Sequence, residues 1–254
     1  MTRINCPDEL EARRDRMVSG RDPETKCITV CAGTGCLASG SRDVVAAITN
    51  ELEAQGLNGE VGFRGTGCHG FCEKGPIVVV DPEEICYLEV KPEDAQEIIG
   101  KTVKGDEVIE RLLYVDQSSG EKAVHESDIP FYRHQERMVF GANRRIDPKS
   151  FDDYLAIGGY RALTKALFQM TSYAVISEVK GANLRGRGGG GFPAGAKWEI
   201  ARNAPGDSKF VVVNCDEGDP GAYMDRSLME GNPYGVLEGL TIGAYAIGAN
   251  VGFV

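Results

Sequence analysis

Two stretches, Lys26-Cys-Ile-Thr-Val-Cys-Ala-Gly-Thr-Gly-Cys36 and Gly65-Thr-Gly-Cys-His-Gly-Phe-Cys72, decide how this chain is read. Each brings a cysteine pair into a glycine-rich bend: Cys31 with Cys36 at Cys-x4-Cys spacing, and Cys68 with Cys72 at Cys-x3-Cys spacing. Four thiolates can meet only if the backbone curls around one point, and glycine permits that because positive φ costs it nothing. Four thiolates are also the ligand set of a 2Fe-2S cluster. Zinc, disulfides or unconnected buried thiols are the rival readings. Zinc favours Cys-x2-Cys knuckles, which neither pair shows, and disulfides call for an oxidising compartment. His69, inside the second pair, reads as a polar neighbour of the ligands. Cys27 and Cys86 alternate with apolar strand residues and read as core thiols.

The flanks set these pairs in a fold. Residues 26–30 read as a strand, residues 42–55 as a helix with Val44, Val45, Ile48 and Leu52 at helical spacing, and residues 59–64 as a second strand. Two more strands, 76–80 and 84–90, surround Asp81-Pro82, and Pro92 opens a helix with Ala95, Ile98 and Ile99 inward. The order β-α-β-β-β-α predicts a small α/β sheet of thioredoxin-like topology, with each cysteine pair just after a strand. Ligands gather at such strand ends in open α/β sheets.

Outside this region, residues 1–25 read as a charged helical extension, and residues 117–150 as a polar connection between domains. Helices are expected over 151–156 and 160–168, and Thr171 or Ser172 caps another through Val175, Ile176 and Val179. Then comes Arg185-Gly-Arg-Gly-Gly-Gly-Gly-Phe-Pro193, followed by Lys197 and Trp198. Backbone N–H groups freed of side chains can approach a phosphate, and a helix N-terminus adds to the attraction. The run is neither a Walker sequence nor a clean Rossmann fingerprint, so a flexible linker stays open as the alternative. An expected buried strand, 209–214, leads into Asn214-Cys-Asp-Glu-Gly-Asp-Pro-Gly221. Its carboxylates either face water in a turn or hold hydroxyls, because burying them unpaired is costly.

Composition narrows the function classes. The chain has 254 residues and a formal net charge of −10, which argues against nonspecific nucleic-acid binding. No run of eighteen apolar residues exists, so no membrane span is expected. The N-terminus is too polar for a signal peptide, and a cytoplasmic location is expected. The last residues, 239–254, carry no charge and read as a helix followed by the start of a strand, which suggests a fragment of a longer protein.

Together these motifs carry a resemblance. Residues 26–116 resemble the thioredoxin-like 2Fe-2S ferredoxin domain, with Cys31, Cys36, Cys68 and Cys72 as its metal ligands. Residues 183–231, by the glycine run and Asn214–Ala222, resemble the flavin-binding subunit of respiratory complex I and its soluble relatives, which makes residues 151–254 the N-terminal, incomplete part of an FMN- and NADH-binding domain. The fusion is similar to the NADH-linked subunit of cytosolic electron-bifurcating iron hydrogenases and related formate dehydrogenases. The resemblance implies an α/β fold in both domains and an NADH dehydrogenase-type activity. Electrons would pass between NAD(H), FMN and iron–sulfur clusters, with no separate catalytic acid, base or nucleophile. It implies Gly186, Arg187, Gly188, Gly189, Gly195 and Lys197 around the FMN phosphate and ring. Asn214, Asp216 and Glu217 would meet the ribityl chain, and Phe192 and Asp219 the dinucleotide. Asp219 stands where complex I proteins carry Glu, and Gly190 where they often carry Ala; both variants look more like the hydrogenase-linked branch. The family continues past residue 254 to a 4Fe-4S site, so that cluster is expected only beyond this chain. Implied partners are an iron hydrogenase or formate dehydrogenase catalytic subunit, a small 2Fe-2S subunit and ferredoxin. Three other readings stay open: the flavin-binding subunit of a peripheral-arm NADH-quinone oxidoreductase, a non-enzymatic ferredoxin-like docking protein, and a phosphate-binding regulator with structural zinc.

Overall fold

The computed structural model describes residues 3–254. The chain divides into two compact units: Asp15–Ile157 with Glu230–Asn232, and the N-terminal residues through Arg14 with Gly158–Met229 and Pro233–Val254. A first helix, α1 (Pro7–Ser19), opens the chain.

The first unit is built on a four-stranded sheet of order β2-β1-β3-β4. Its strands are β1 (Cys27–Cys31), β2 (Gly62–Thr66), β3 (Val78–Asp81) and β4 (Ile85–Tyr87). The parallel pair aligns Cys27 with Gly62 and Cys31 with Thr66. Parallel neighbours need a long crossover, supplied here by α2 (Thr34–Ala38) and α3 (Ser41–Ala54). β3 runs antiparallel to both β1 and β4.

Every residue of β1 is buried because the sheet is covered on both faces. Side chains alternate between the two cores, as a period of two requires. Ile28, Val30, Val78 and Val80 point into one core with Val44, Ile48 and Leu52 of α3. The same core takes Ala95, Ile98 and Ile99 from a composite helix: a 3-10 turn (Pro92–Asp94), α4 (Ala95–Glu97) and a π-helical stretch (Ile98–Val103). Each fully buried Val or Ile there contributes about 1.5–3 kcal/mol.

The other core holds Cys31, Cys36, Phe71, Ile77, Val79 and Cys86. Its cover comes from the stretch that reads in sequence as a connection. A two-stranded ribbon, β5 (Tyr114–Val115) and β6 (Lys122–Ala123), leads to the short helix α5 (Pro130–Arg133), and Ile129 and Tyr132 are buried against the sheet. Ile146 is fully buried as well. Part of the connection therefore packs on the sheet. Its apolar residues stand singly among charged ones, so no periodicity announces them. The unit closes with α6 (Phe151–Ala156), where Ser150 caps through an acceptor bond from the Asp153 N–H.

In the second unit, α7 (Arg161–Gln169), α8 (Ser172–Gly181), α9 (Ala194–Asn203) and α11 (Pro233–Ile247) pack together. Ala166, Val175, Ile176 and Ala246 form their core, with Trp198 and Ile242 against it. Thr171 caps α8 as expected, its Oγ1 accepting from the Ala174 N–H at 3.2 Å. α7 has no cap of its own; the buried Glu238 of α11 accepts from the N–H groups of Tyr160 (2.7 Å) and Leu163 (3.0 Å). The eight-residue helix α10 (Met224–Gly231) precedes α11.

β7 (Phe210–Val212) and β8 (Val251–Phe253) form a parallel pair. The expected buried strand here is corrected: Phe210 and Val212 are 56% and 65% exposed. The inward residue of the alternation, Val211, is half-buried and lies beside Gly252, which itself packs near Leu240 of α11. Among the described residues, no helix is long and apolar enough to cross a membrane.

Candidate cluster and flavin sites

The cysteine quartet assembles beyond the C-terminal ends of β1 and β2. Cys31 is the last residue of β1, Cys36 lies in α2, Cys68 follows β2 by two residues, and Cys72 starts a 3-10 turn. All eight cysteines are free thiols. The Cys68 and Cys72 sulfurs are 3.7 Å apart, and the Cys31 thiol interacts with those of Cys36 and Cys68. Among the described residues, no group of three or more His, Cys, Asp or Glu side chains is set to hold a single metal ion.

Glycine makes this convergence possible by size more than by backbone freedom. A Cβ on Gly33 would stand 2.7 Å from Cys68 Cβ, one on Gly35 2.9 Å from Cys72 Cβ, and one on Gly75 2.6 Å from the Cys36 sulfur. Gly33 has φ −65, which any residue adopts, so its requirement is purely steric. Gly70 differs, with φ +95.

The thiols respond to this crowding. Cys31 is pushed up to about 12, first by its hydrogen bond with Cys36, while that bond lowers Cys36. Cys68 is raised by its contact with Cys31 and by burial. Cys72 is pushed up to about 11, mainly by burial. Cys31, Cys68 and Cys72 thus hold their protons tightly while Cys36 gives its proton up more readily, and metal binding exchanges the thiol protons for iron. Backbone donors already face the sulfurs: the His69 N–H toward Cys31 at 3.4 Å and the Gly70 N–H toward Cys68 at 3.3 Å. Close thiols, glycine-only contacts and N–H donors fit a 2Fe-2S cluster.

His69 is buried, and its Nε2 lies 2.7 Å from Thr66 Oγ1. Burial, then repulsion from Arg144 and Arg137, lowers it to about 3, so the ring is neutral. It is the polar neighbour the sequence suggests. Cys27 and Cys86 are buried core thiols.

In the other unit, the glycine run forms a closed loop. The Gly186 N–H donates to the Phe192 carbonyl at 2.9 Å, the Ala194 N–H to Leu184 at 2.8 Å, and Arg185 Nη1 to Gly191 at 3.1 Å. Gly188, Gly189 and Gly190 are exposed, and an added Cβ would meet nothing within 4 Å at any of them. The loop runs straight into α9, whose N-cap is Pro193, with no side-chain cap. The first-turn N–H groups of α9 thus lack a side-chain acceptor. Arg187 and Lys197 are exposed and make no ion pair among the described residues. Phe192 is 54% exposed. Gly195 serves packing: its Cβ would lie 2.5 Å from Lys180 Cγ at the α8–α9 crossing.

The loop after β7 is more ordered than its composition suggests. Asn214 Oδ1 accepts from the Asp216 N–H at 3.0 Å. Glu217, at φ +42, accepts from the N–H groups of Asp225 (3.0 Å) and Arg226 (3.1 Å) and so caps α10. Burial raises the Glu217 carboxyl, and these donors outweigh it and lower it. The cap was invisible in sequence, because eight residues separate Glu217 from the first N–H it accepts from. Asp216 and Asp219 face solvent.

Comparison with known proteins places both regions. Residues 16–103 match the thioredoxin-like 2Fe-2S ferredoxin family, and residues 179–254 match the Nuo51 FMN-binding domain. The chain therefore joins an iron–sulfur domain to a flavin-binding one. That pairing is consistent with the NADH-binding flavoprotein subunits of complex I-type and hydrogenase assemblies.

The chain is 53% identical over 109 residues to the NADP-reducing hydrogenase subunit HndC of Solidesulfovibrio fructosivorans, covering 43% of this chain and 22% of that one. It is 50% identical over 101 residues to the NADH-quinone oxidoreductase F 2 subunit of Rhizobium meliloti, covering 40% and 24%. The alpha subunit of the NAD-reducing hydrogenase HoxS of Cupriavidus necator is 30% identical over 197 residues, covering 78% and 30%. The chain thus spans between a fifth and a third of the length of these relatives. Among solved structures, a thioredoxin-like 2Fe-2S ferredoxin from Aquifex aeolicus aligns at 37% identity and TM-score 0.33, covering 35% of this chain and 89% of that one.

Proposed function

We propose that this chain belongs to the nicotinamide end of a multi-subunit oxidoreductase, taking electrons from NADH and passing them singly through a 2Fe-2S cluster. One observation carries the reading. A thiol quartet packed to glycine-only tolerance and a glycine loop opening an uncapped helix stand on one chain, in segments that match an iron–sulfur and a flavin family.

A bound FMN supplies the exchange between a two-electron hydride and single electrons. This chain's residues supply the holding. Loop N–H groups at Gly188 and Gly189, the first turn of α9, Arg187 and Lys197 offer donors and positive charge to a phosphate, while the Gly186 N–H closes the loop on Phe192. Asn214, Asp216 and Asp219 offer oxygens to hydroxyls, and Glu217 braces their loop through α10. Exposed Phe192 offers a ring face to the dinucleotide. Cys31, Cys36, Cys68 and Cys72 hold the irons.

The electron acceptor is another redox subunit, such as the catalytic subunit of a hydrogenase or formate dehydrogenase. The HndC and HoxS relatives support the hydrogenase-linked branch. The match to the Rhizobium meliloti NADH-quinone oxidoreductase supports the second reading, a quinone-linked complex. The test is isolation with native partners. The expected sample contains FMN and equal iron and sulfide, and reduces an artificial dye faster with NADH than with NADPH. A preparation holding zinc, with neither flavin nor iron, overturns the proposal.

A further inference from the structure

The stretch between the two matched segments, residues 104–178, contributes side chains to the ligand loop of the second cysteine pair. Phe131 stacks on Phe71 with centroids 4.5 Å apart and planes 8° from parallel. Arg137 Nη1 donates to the His69 carbonyl at 3.1 Å. That carbonyl and the Gly70 N–H belong to one peptide group, and the Gly70 N–H points at the Cys68 sulfur at 3.3 Å. A guanidinium, a peptide and a thiol ligand therefore stand in series.

Arg137 is itself held in place. Its Nη2 is 3.4 Å from Glu126 Oε2, and its guanidinium lies 4.6 Å from the centroid of the buried Tyr132 ring. Glu126 is buried and also paired with Arg144, whose guanidinium reaches Asp81, the last residue of β3, at 2.8 Å as well. The charged groups of this network are thus Arg137 and Arg144 against Glu126, Asp81 and the more distant Glu84, 3.6 Å from Arg144.

We propose that Arg137 is a positioning residue for the cluster, gripping the His69–Gly70 peptide so that its N–H stays on the Cys68 sulfur and the cluster accepts an electron more readily. The proposal rests on the 2Fe-2S reading of the quartet. Its physics has two parts. Hydrogen bonds in series polarise one another, so a cation on the carbonyl makes the N–H at the other end a stronger donor. Hydrogen bonds to the sulfurs and nearby charge help set the reduction potential of an iron–sulfur cluster. Both parts favour the reduced cluster, which carries one more negative charge.

The experiment compares the parent chain, Arg137→Gln and Arg137→Lys, each reconstituted anaerobically. Iron and sulfide are counted, the potential is titrated, and the paramagnetic signal of the reduced cluster is recorded. Arg137→Gln is expected to keep its iron while its reduction becomes about tenfold less favourable, ~59 mV for one electron, with an altered signal. Arg137→Lys keeps the charge but loses the planar fork, and is expected to fall between the two. Equal potentials in all three loaded proteins overturn the proposal. If Arg137→Gln cannot hold iron, Arg137→Lys decides alone: a lowered potential supports the proposal, and an unchanged or raised one overturns it. A parent chain that takes up no iron and sulfide refutes the 2Fe-2S reading itself, which keeps the two failures distinct.

Discussion

The cysteine site and the glycine loop use the same residue for opposite ends. Around the thiols, glycine is a spacer: Gly33, Gly35 and Gly75 leave no room for even a methyl group. In the loop before α9, Gly188, Gly189 and Gly190 face open space. The first site is finished by packing, with buried sulfurs, backbone donors in place and a second core behind it. The second is exposed, and under the proposed function its backbone donors meet a ligand. A metal cluster is bound within the core and must be anticipated by it, whereas a phosphate can be met by a loop shaped largely by its own hydrogen bonds.

The contrast breaks most visibly if the quartet is not one site. Cys36→Ala or Cys68→Ala should abolish cluster assembly, while Cys86→Ala, a buried thiol outside the quartet, should load normally. Full iron in both quartet variants would remove the cluster reading. Next in size comes Gly33→Ala. Its methyl would press on the Cβ and backbone of Cys68, and overpacking of this kind costs about 1–3 kcal/mol. Thermal unfolding of the metal-free chain measures it. Gly188→Ala is the matched control and should cost nothing, because nothing lies near its added methyl.

Much of this contrast was legible in the sequence. Spacing and glycine content marked the quartet, helical period marked Val44, Ile48 and Leu52, and Thr171 announced its cap. What escaped depends on long-range contact. Ile129, Tyr132 and Arg137 cover the sheet and the ligand loop from a stretch with no regular pattern. Glu217 caps a helix beyond its own turn. The apolar run at β7 signalled a strand correctly but not its exposure, since hydrophobicity does not say how many elements pack on it. Gly195, read beside the phosphate loop, is occupied by the α8–α9 crossing.

The buried site should also carry a pH signature. His69 is lowered to about 3 by burial first, then by Arg144 and Arg137, against an ordinary value near 6.5. A lowered folded-state value means that this residue's contribution is complete above about pH 6.5. It is lost as pH falls toward 3, because the unfolded chain takes the proton first. In the metal-free chain the slope approaches about 1.4 kcal/mol per pH unit for one uncompensated proton. Urea unfolding between pH 7 and 5 reads it, and His69→Gln should flatten the slope. An equal slope in both chains would assign the acid sensitivity elsewhere.

The smallest effect tests the open site, and its design separates charge from shape. Lys197 is exposed in the first turn of α9 and makes no ion pair among the described residues, so removing it should leave the fold unchanged. An exposed ion pair, such as Lys197 would make with the phosphate, contributes about 0.2–1 kcal/mol, so Lys197→Ala should weaken FMN binding by up to about fivefold. Riboflavin has the same ring and ribityl chain without the phosphate, and its affinity should not move. Gly188→Val should weaken FMN by blocking backbone approach, again with riboflavin less affected. If Lys197→Ala weakened both flavins equally, Lys197 would be acting on the ring or on the loop's shape, and the glycine run would lose its role as a phosphate cradle.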